Sequence, residues 1–222
     1  MTSRGYDASG RREQARATRA RILGTARELF IADGYAATSM ARIARAAGVS
    51  TPTVFAAFTA KANLLKEAAE TTLVGDADPV PLAERPQMRR VYEAPSAAEV
   101  VSRLADFVVE AAPRAYPIFA VVFAAADADP QIAAVARTID DQRLVGAGYL
   151  ADALARHLDD GAQRRDELRD VLWAATSLHL YGQLVVQRGW SVRRYGDWVA
   201  HLVGASLTTP VSAGASRPSP SP

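Results

Sequence analysis

Apolar residues recur at helical spacing along almost the whole chain, and this periodicity limits the fold more than any other feature of the sequence. Near the N-terminus, Ile22, Ala26 and Phe30 recur every fourth residue. They therefore share one face of a helix predicted from about Thr18 to Asp33, which stops at Gly34. The chain has no run of alternating apolar and polar residues between hairpin turns. The pattern predicts an all-α protein.

The segment from Ser39 to Phe58 has the spacing of a helix-turn-helix, SMARIARAAGVSTPTVFAAF. The small side chain of Ala44 allows two helices to touch, and Gly48 suits the tight turn that follows. Val49 and Val54 would fill the angle between the helices. A helical hairpin with no role in DNA binding has the same spacing, so this pattern alone leaves both interpretations open.

The charge of the chain is divided unevenly between its two ends. Residues 1–70 carry 11 Lys+Arg and 6 Asp+Glu, whereas residues 71–222 carry 15 and 18. The overall net charge of +2 therefore combines a basic head of +5 with an acidic body of −3. A basic head of this kind favours contact with a polyanion such as nucleic acid.

Composition excludes several classes of protein. With no Cys there is no disulfide framework and no thiolate metal site, and the Arg-rich N-terminus is unlike a signal peptide. A membrane span needs roughly 18 consecutive apolar residues, and we expect no stretch of this sequence to form one. We expect a cytoplasmic protein with no cofactor, no metal and no membrane partner.

The segment from Thr18 to Leu65 closely resembles the N-terminal DNA-binding domain of the tetracycline-repressor (TetR) family of transcriptional regulators. Its landmarks stand in unbroken register: Ile22-Leu23, Ala26, Phe30, Gly34-Tyr35, Thr38-Ser39, Ile43-Ala44, Ala47 to Ser50, Thr53 to Phe55, Phe58, Lys61 and Leu64-Leu65. The body resembles one group within that family through PVPLAERP, DADP and VLWAATSLHLY followed by RGWSVRRYGDWVAHL. The resemblance covers about residues 15–207.

The resemblance implies a homodimer whose two heads lie in successive major grooves of a palindromic operator in double-stranded DNA. One short recognition helix per chain makes too few base contacts for useful specificity unless symmetry doubles them. The residues themselves indicate Ser50 or Thr51 as the cap of the recognition helix. By the same resemblance Ser50 is a DNA-binding residue, the bases are faced by Thr51, Pro52, Thr53 and Ala56, and phosphates are approached by Ser39, Arg42, Phe55 and Lys61. Lys61 at the start of its helix adds its charge to a cluster of backbone N–H groups.

The chain also departs from the family pattern. Phe55 stands where Tyr is usual and lacks the hydroxyl that donates to a phosphate. Ala56 and Ala57 stand where large polar or aromatic residues are common, so thymine-methyl contacts and DNA shape are expected to contribute more to specificity. Ala60 occupies a position where a capping Ser or Asn is frequent, and Thr59 is the expected substitute.

Arginines are concentrated just before the helix-turn-helix. They fit an arm that reaches into the adjacent minor groove or onto phosphates, but they fit the solvated face of a helix equally well. The arginines concerned are Arg11, Arg12, Arg16, Arg19 and Arg21.

Prolines and glycines set the expected domain organisation. Four prolines between Gly75 and Pro95 make that stretch too Pro-rich for an ordinary helix. Beyond it we expect helices at about 96–111, 114–126, 130–158, 164–187 and 191–207. The predicted domains are a flexible basic arm (1–16), a TetR-type helix-turn-helix domain (17–70), a Pro-rich linker (71–95), a helical ligand-binding and dimerisation domain (96–207) and a disordered tail (208–222).

The last two predicted helices have more apolar residues than one buried face needs. A second face buried against a symmetry mate would explain the excess, and burial inside a larger monomeric core is the alternative. The residues expected at the interface are Leu172, Leu184, Trp190, Trp198 and Leu202. Large aromatic and small residues alternate in the body, which favours a cavity for a mostly apolar small-molecule effector. Its expected lining is Phe119, Phe123, Tyr149, Trp173, His179 and Tyr181.

Two other classes of function compete with this interpretation. An enzyme is disfavoured because His157, His179 and His201 match no compact metal motif, and no nucleophile-elbow or phosphate-loop pattern is present. A DNA-binding accessory protein that responds to no ligand remains open.

Overall fold

The computed structural model describes residues 8–75 and 80–209, and within those ranges it contains helices and no strand, which confirms the all-α prediction. A 3₁₀ turn at Leu82–Glu84 precedes the fifth α-helix, and a π-helical turn at Gly182–Gln187 follows the ninth. The α-helices are α1 (Ala8–Ala37), α2 (Met40–Ala46), α3 (Thr51–Phe58), α4 (Lys61–Val74), α5 (Pro86–Tyr92), α6 (Ala97–Ala126), α7 (Pro130–Ala155), α8 (Gly161–Ala175), α9 (Leu178–Tyr181) and α10 (Val192–Thr208).

The chain divides into two compact units. Of the described residues, the first contains 8–75, 80–82 and 111–140, and the second contains 83–110 and 141–209. The predicted domain boundaries remain predictions. The first seven residues of the predicted arm, part of the predicted linker (76–79) and the predicted tail from residue 210 lie outside the described residues.

Helix α1 is longer than predicted and includes the second half of the proposed arm. It is helical from Ala8, the first residue that the structure describes, and this stretch is rich in Ala, Arg, Glu and Gln, which are strong helix formers. Its backbone leaves helical geometry at Gly34, with φ 80° and ψ 169°, where the sequence predicts the stop. The arginines from Arg11 to Arg21 are thus carried on a helix rather than on an extended segment.

Helices α2, α3 and α4 pack with α1 around one apolar core in the first unit. The completely buried side chains include Ile22, Phe30, Ile43 and Val54. Arg114 of the same unit donates to the backbone carbonyls of Thr72 (2.6 Å) and Leu73 (3.1 Å), so it satisfies two carbonyls at the end of α4 that have no partner within the helix.

Helix α6 corrects two predictions. It is one continuous helix through Pro113 and Pro117, not two helices. Each proline removes one backbone hydrogen bond, but Ala115, Ile118 and Phe119 remain buried beside them, so the core holds the helix together. It is also long and apolar enough to cross a membrane by length and composition alone, contrary to the sequence expectation. In its most apolar 18-residue window 39% of the residues are buried, so part of this apolar surface belongs to the core.

The second unit corrects two further helix boundaries. Residues 86–92 of the Pro-rich stretch form α5, because Pro86 occupies the first turn, where the missing N–H costs nothing. The predicted helix from 164 to 187 is interrupted after Ala175, and Ser177 caps the next helix by accepting from the His179 N–H at 3.2 Å. The hydroxyl of the buried Tyr195 donates to the carbonyls of Ala175 and Ser177 on the two sides of this interruption.

Candidate nucleic-acid interface

Two serine caps begin the two helices of the helix-turn-helix. The Ser39 Oγ accepts the backbone N–H of Arg42 at 3.2 Å and begins α2. The Ser50 Oγ accepts the backbone N–H of Thr53 at 3.2 Å and begins α3. Each cap satisfies an N–H group that has no partner within its own helix.

The turn between these helices has the steric features that the sequence predicts. Gly48 has φ +64°, a left-handed conformation that favours glycine. The backbone N–H of Val49 donates to the Ala44 carbonyl at 3.0 Å, and the Ala44 side chain is buried. Val54 is completely buried, so the two helices meet as the spacing indicates.

Helix α3 has one buried side and one exposed side. Val54 and Phe58 face the core, while Pro52, Thr53 and Ala56 are exposed to solvent. Phe55 is 47% exposed, which is unusual for a large aromatic side chain. The residues expected to meet DNA bases are therefore displayed together on the outer side of α3, with Thr51 partly covered at its start.

Arg19 and Arg21 fix the carboxyl ends of the two helices, a role that the sequence did not indicate. The Arg21 Nε donates to the carbonyl of Ala47, the C-cap residue of α2, at 2.9 Å. Arg19 donates to the Ala57 carbonyl in the last turn of α3 at 2.5 Å and pairs with Glu67 of α4. A positive charge at the C-terminal end of a helix interacts favourably with the helix dipole. These two arginines bond the helix ends from α1, Arg19 partly buried and Arg21 exposed, and the arm interpretation of Arg11, Arg12 and Arg16 stays a prediction.

Helix α2 supplies the positive charge that α3 lacks. Arg42 is exposed and pairs with Asp33 at 2.8 Å between Nη2 and Oδ2. Arg45, in the last turn of α2, is exposed as well. Sequence reasoning missed Arg45, although its position three residues after Arg42 places both on one side of the helix.

Lys61 lies at the start of α4, as predicted, but it is held by α1. Its Nζ donates to the Tyr35 carbonyl at 2.9 Å and lies 3.9 Å from the centre of the Tyr35 ring. Burial lowers the pKa of the Lys61 ammonium, and the carboxylate of Asp129 acts in the opposite direction. The ammonium has three N–H groups, so the contact with Tyr35 orients Lys61 and leaves capacity for a phosphate oxygen.

The start of α4 corrects the predicted cap. Ala60 is the capping residue and makes no side-chain hydrogen bond. Thr59 ends α3 instead, with φ +59°, so its backbone conformation differs from the extended one that a helix N-cap adopts. The first turn of α4 therefore has N–H groups that no side chain caps.

The residues expected to line a ligand cavity belong to different units and pack against different side chains. Phe119 and Phe123 belong to the first unit, with ring centroids 6.2 Å apart. The other four belong to the second unit: Tyr149 packs on Tyr92, Trp173 lies under the guanidinium of Arg143, Tyr181 packs on Tyr195, and His179 is exposed in α9. Their role in ligand binding stays a prediction.

The residues expected at a dimer interface differ in their exposure. Leu172 is completely buried in its own unit, where a partner cannot reach it, so it is a core residue. Leu184 and the packed pair Trp190 and Trp198 are partly exposed, and Leu202 is 37% exposed. Exposed Trp173 and Val186 add apolar surface to the same unit.

Comparison with known proteins gives a family for the N-terminal part of the chain and similar folds for most of its length. The model of the family described as bacterial regulatory proteins, tetR family, matches residues 22–68. No curated protein sequence matches significantly. Among solved structures, NalD, the secondary repressor of the MexAB-OprM multidrug efflux pump in Pseudomonas aeruginosa, is 20% identical, with a TM-score of 0.62 over 88% of this chain and 98% of that one.

Two further structures are similar to the chain at comparable levels. A transcriptional regulator from Saccharomonospora viridis in complex with choline is 21% identical, with a TM-score of 0.57 over 89% of this chain and 97% of that one. The fatty acid degradation regulator FadR from Bacillus halodurans is 15% identical, with a TM-score of 0.58 over 82% and 92%. At these identities the likeness shows a shared fold.

Proposed function

Because this chain belongs to the tetR family of bacterial regulatory proteins, we propose that two copies of it bind one palindromic operator and repress transcription until a small, mostly apolar ligand releases them. Members of this family are DNA-binding transcription factors, so the chain is a transcriptional regulator and not an enzyme. We place it in the cytoplasm, where it would meet double-stranded DNA.

The observation that carries the proposal is the exposed side of α3. Pro52, Thr53 and Ala56 are displayed on a short helix whose start is capped by Ser50 and whose end is held by Arg19. A helix of this length fits the major groove and contacts only a few base pairs. Two such helices related by two-fold symmetry would read an inverted repeat.

Apolar surface on the second unit supports a homodimer. Trp173, Val186 and Leu202 are 36%, 58% and 37% exposed, although side chains of this kind are usually buried. A symmetric interface would cover them and place the two heads at a fixed spacing. Leu184, Trp190 and Trp198 would complete that interface.

A ligand would act by favouring one spacing of the heads over another. The similar regulator from Saccharomonospora viridis holds choline, which supports a small-molecule site in this fold. We place the site of this chain among the aromatic side chains of the second unit, with Tyr149 and Tyr181 as its first candidates. The ligand that we propose for this chain is mostly apolar.

Selection from a library of random duplex DNA with the full chain tests the proposal. We expect an inverted repeat, bound by two copies of the chain in sedimentation experiments. Binding of a single copy to a site without symmetry would contradict it. The selected duplex then permits footprinting with a panel of apolar compounds. A protein whose melting temperature and footprint respond to none of them would be a ligand-independent accessory protein.

A further inference from the structure

The recognition helix lacks every side chain that reads bases by paired hydrogen bonds. From Ala46 to Ala60 the sequence contains no Arg, Lys, Asn, Gln, Asp or Glu. Those are the residues that make two hydrogen bonds with the edge of one base pair in the major groove. Discrimination by α3 therefore cannot rely on paired hydrogen bonds to one base pair.

Two of the three hydroxyl groups near the start of α3, those of Ser50 and Thr53, are engaged with each other. The Ser50 Oγ lies 2.7 Å from the Thr53 Oγ1 and also accepts the backbone N–H of Thr53. This contact restricts the side-chain rotation of Thr53, because its hydroxyl is held by the cap. What Thr53 adds to the exposed surface is then mainly its γ-methyl group.

The geometry of the helix groups the exposed carbon atoms. Each residue turns the helix by about 100°, so Ala56 lies roughly opposite the midpoint of the buried Val54 and Phe58. Pro52 and Thr53 lie within about 60° on either side of Ala56. All three are exposed. We call the surface formed by Pro52, Thr53 and Ala56 the methyl face, and the 47% exposed Phe55 lies at its edge.

We propose that the methyl face reads the C5-methyl groups of thymine. That methyl is the apolar group which base edges present in the major groove, and apolar side chains contact it. Carbon-rich side chains that are left exposed to water on a DNA-facing helix gain free energy when this group covers them. The inference rests on the proposed function, and it predicts a T·A pair opposite the methyl face in each operator half-site.

Deoxyuridine provides the direct test, because it lacks only the methyl group and keeps the base-pairing edge of thymine. The probe is the duplex selected above, remade with deoxyuridine at one half-site thymine at a time. We expect affinity to fall about fourfold for each methyl that the face covers, the effect of one buried CH₂. The same replacement outside the half-sites is the control and should leave affinity unchanged. Equal affinity for thymine and deoxyuridine duplexes throughout would overturn the inference.

A matched protein variant locates the contact. Thr53→Ser removes the γ-methyl group and keeps the hydroxyl that bonds Ser50. We expect it to weaken binding to the thymine duplex about two- to fourfold and to leave binding to the deoxyuridine duplex unchanged. A loss of the same size on both duplexes would show that Thr53 does not touch the thymine methyl. If no duplex is selected at all, the proposed function fails, and if selection succeeds but methyl removal has no effect, only this inference fails.

Discussion

The two helices of the helix-turn-helix have surfaces of opposite character. Helix α2 exposes Arg42 and Arg45, whereas the exposed side of α3 carries carbon atoms and no charge. The two helices have similar lengths, begin with the same kind of serine cap and share one core. Their difference is therefore confined to what they present to a partner.

This difference suggests a division of labour on DNA. Arginines attract the phosphates of any sequence and make affinity depend on salt, whereas methyl and ring carbons respond to the shape and methyl groups of particular bases. Arg19 and Arg21 each bond a carbonyl at the end of one of these helices, so they tie both helices to α1 and help to keep the two surfaces at a fixed relative position.

The largest effect is expected from two phenylalanines on the same helix. Phe58 is 2% exposed, so Phe58→Ala leaves a cavity in the core and should cost about 3–5 kcal/mol of unfolding free energy. Phe55→Ala is the matched control. It removes the same atoms from the surface and should change stability by less than about 1 kcal/mol.

Urea unfolding of the two variants, followed by binding to the selected duplex, separates stability from recognition. Phe55→Ala should remain folded and bind the duplex more weakly, because its ring lies at the edge of the methyl face. Similar losses of stability in both variants would mean that Phe55 is part of the core.

The next effect concerns the arginine at the end of α3. Arg19→Met removes the hydrogen bond to the Ala57 carbonyl and the ion pair with Glu67, and it should cost about 1–2 kcal/mol of stability. Arg16→Met, at an exposed position of the same helix, is the control and should be nearly neutral. Equal melting temperatures for the two variants would contradict a supporting role of Arg19.

Local chemistry explains which parts of this region the sequence predicts. Ala44, Gly48 and Val54 are constrained by sterics within one turn of structure, so their spacing reveals the two helices. The role of Arg19 depends on a carbonyl 38 residues away, and no local pattern indicates which arginine will find such a partner. The contact of Lys61 with Tyr35, 26 residues apart, is hidden for the same reason.

The body shows a similar limit on sequence prediction. Prolines usually end helices, which is why α6 is expected to break at Pro113. Burial of the flanking apolar residues outweighs two lost backbone hydrogen bonds, and the helix continues. Leu172 resembles an interface residue by periodicity, but an interior face and a partner-covered face have the same spacing.

A smaller effect is expected from the two serine caps. Ser50→Ala and Ser39→Ala each remove one capping hydrogen bond and should each cost about 1 kcal/mol of stability. Only Ser50→Ala also releases the Thr53 hydroxyl. Its preference for thymine over deoxyuridine duplexes should therefore weaken, while Ser39→Ala keeps that preference. Equal preferences in the two variants would break the link between the cap and the methyl face.

The smallest effect on stability is expected for the arginines of α2. Arg42→Gln removes a surface ion pair with Asp33 and should change stability by less than about 1 kcal/mol, as should Arg45→Gln. Each variant should reduce the slope of log affinity against log salt by about 0.9 for each phosphate contact that it loses. Binding should weaken on every duplex alike, so the ratio between thymine and deoxyuridine duplexes should stay the same. Arg188→Gln, at an exposed position of the second unit, is the control with an unchanged slope. If Arg42→Gln instead altered the thymine preference at constant salt slope, α2 would read bases and the division between the two helices would be wrong.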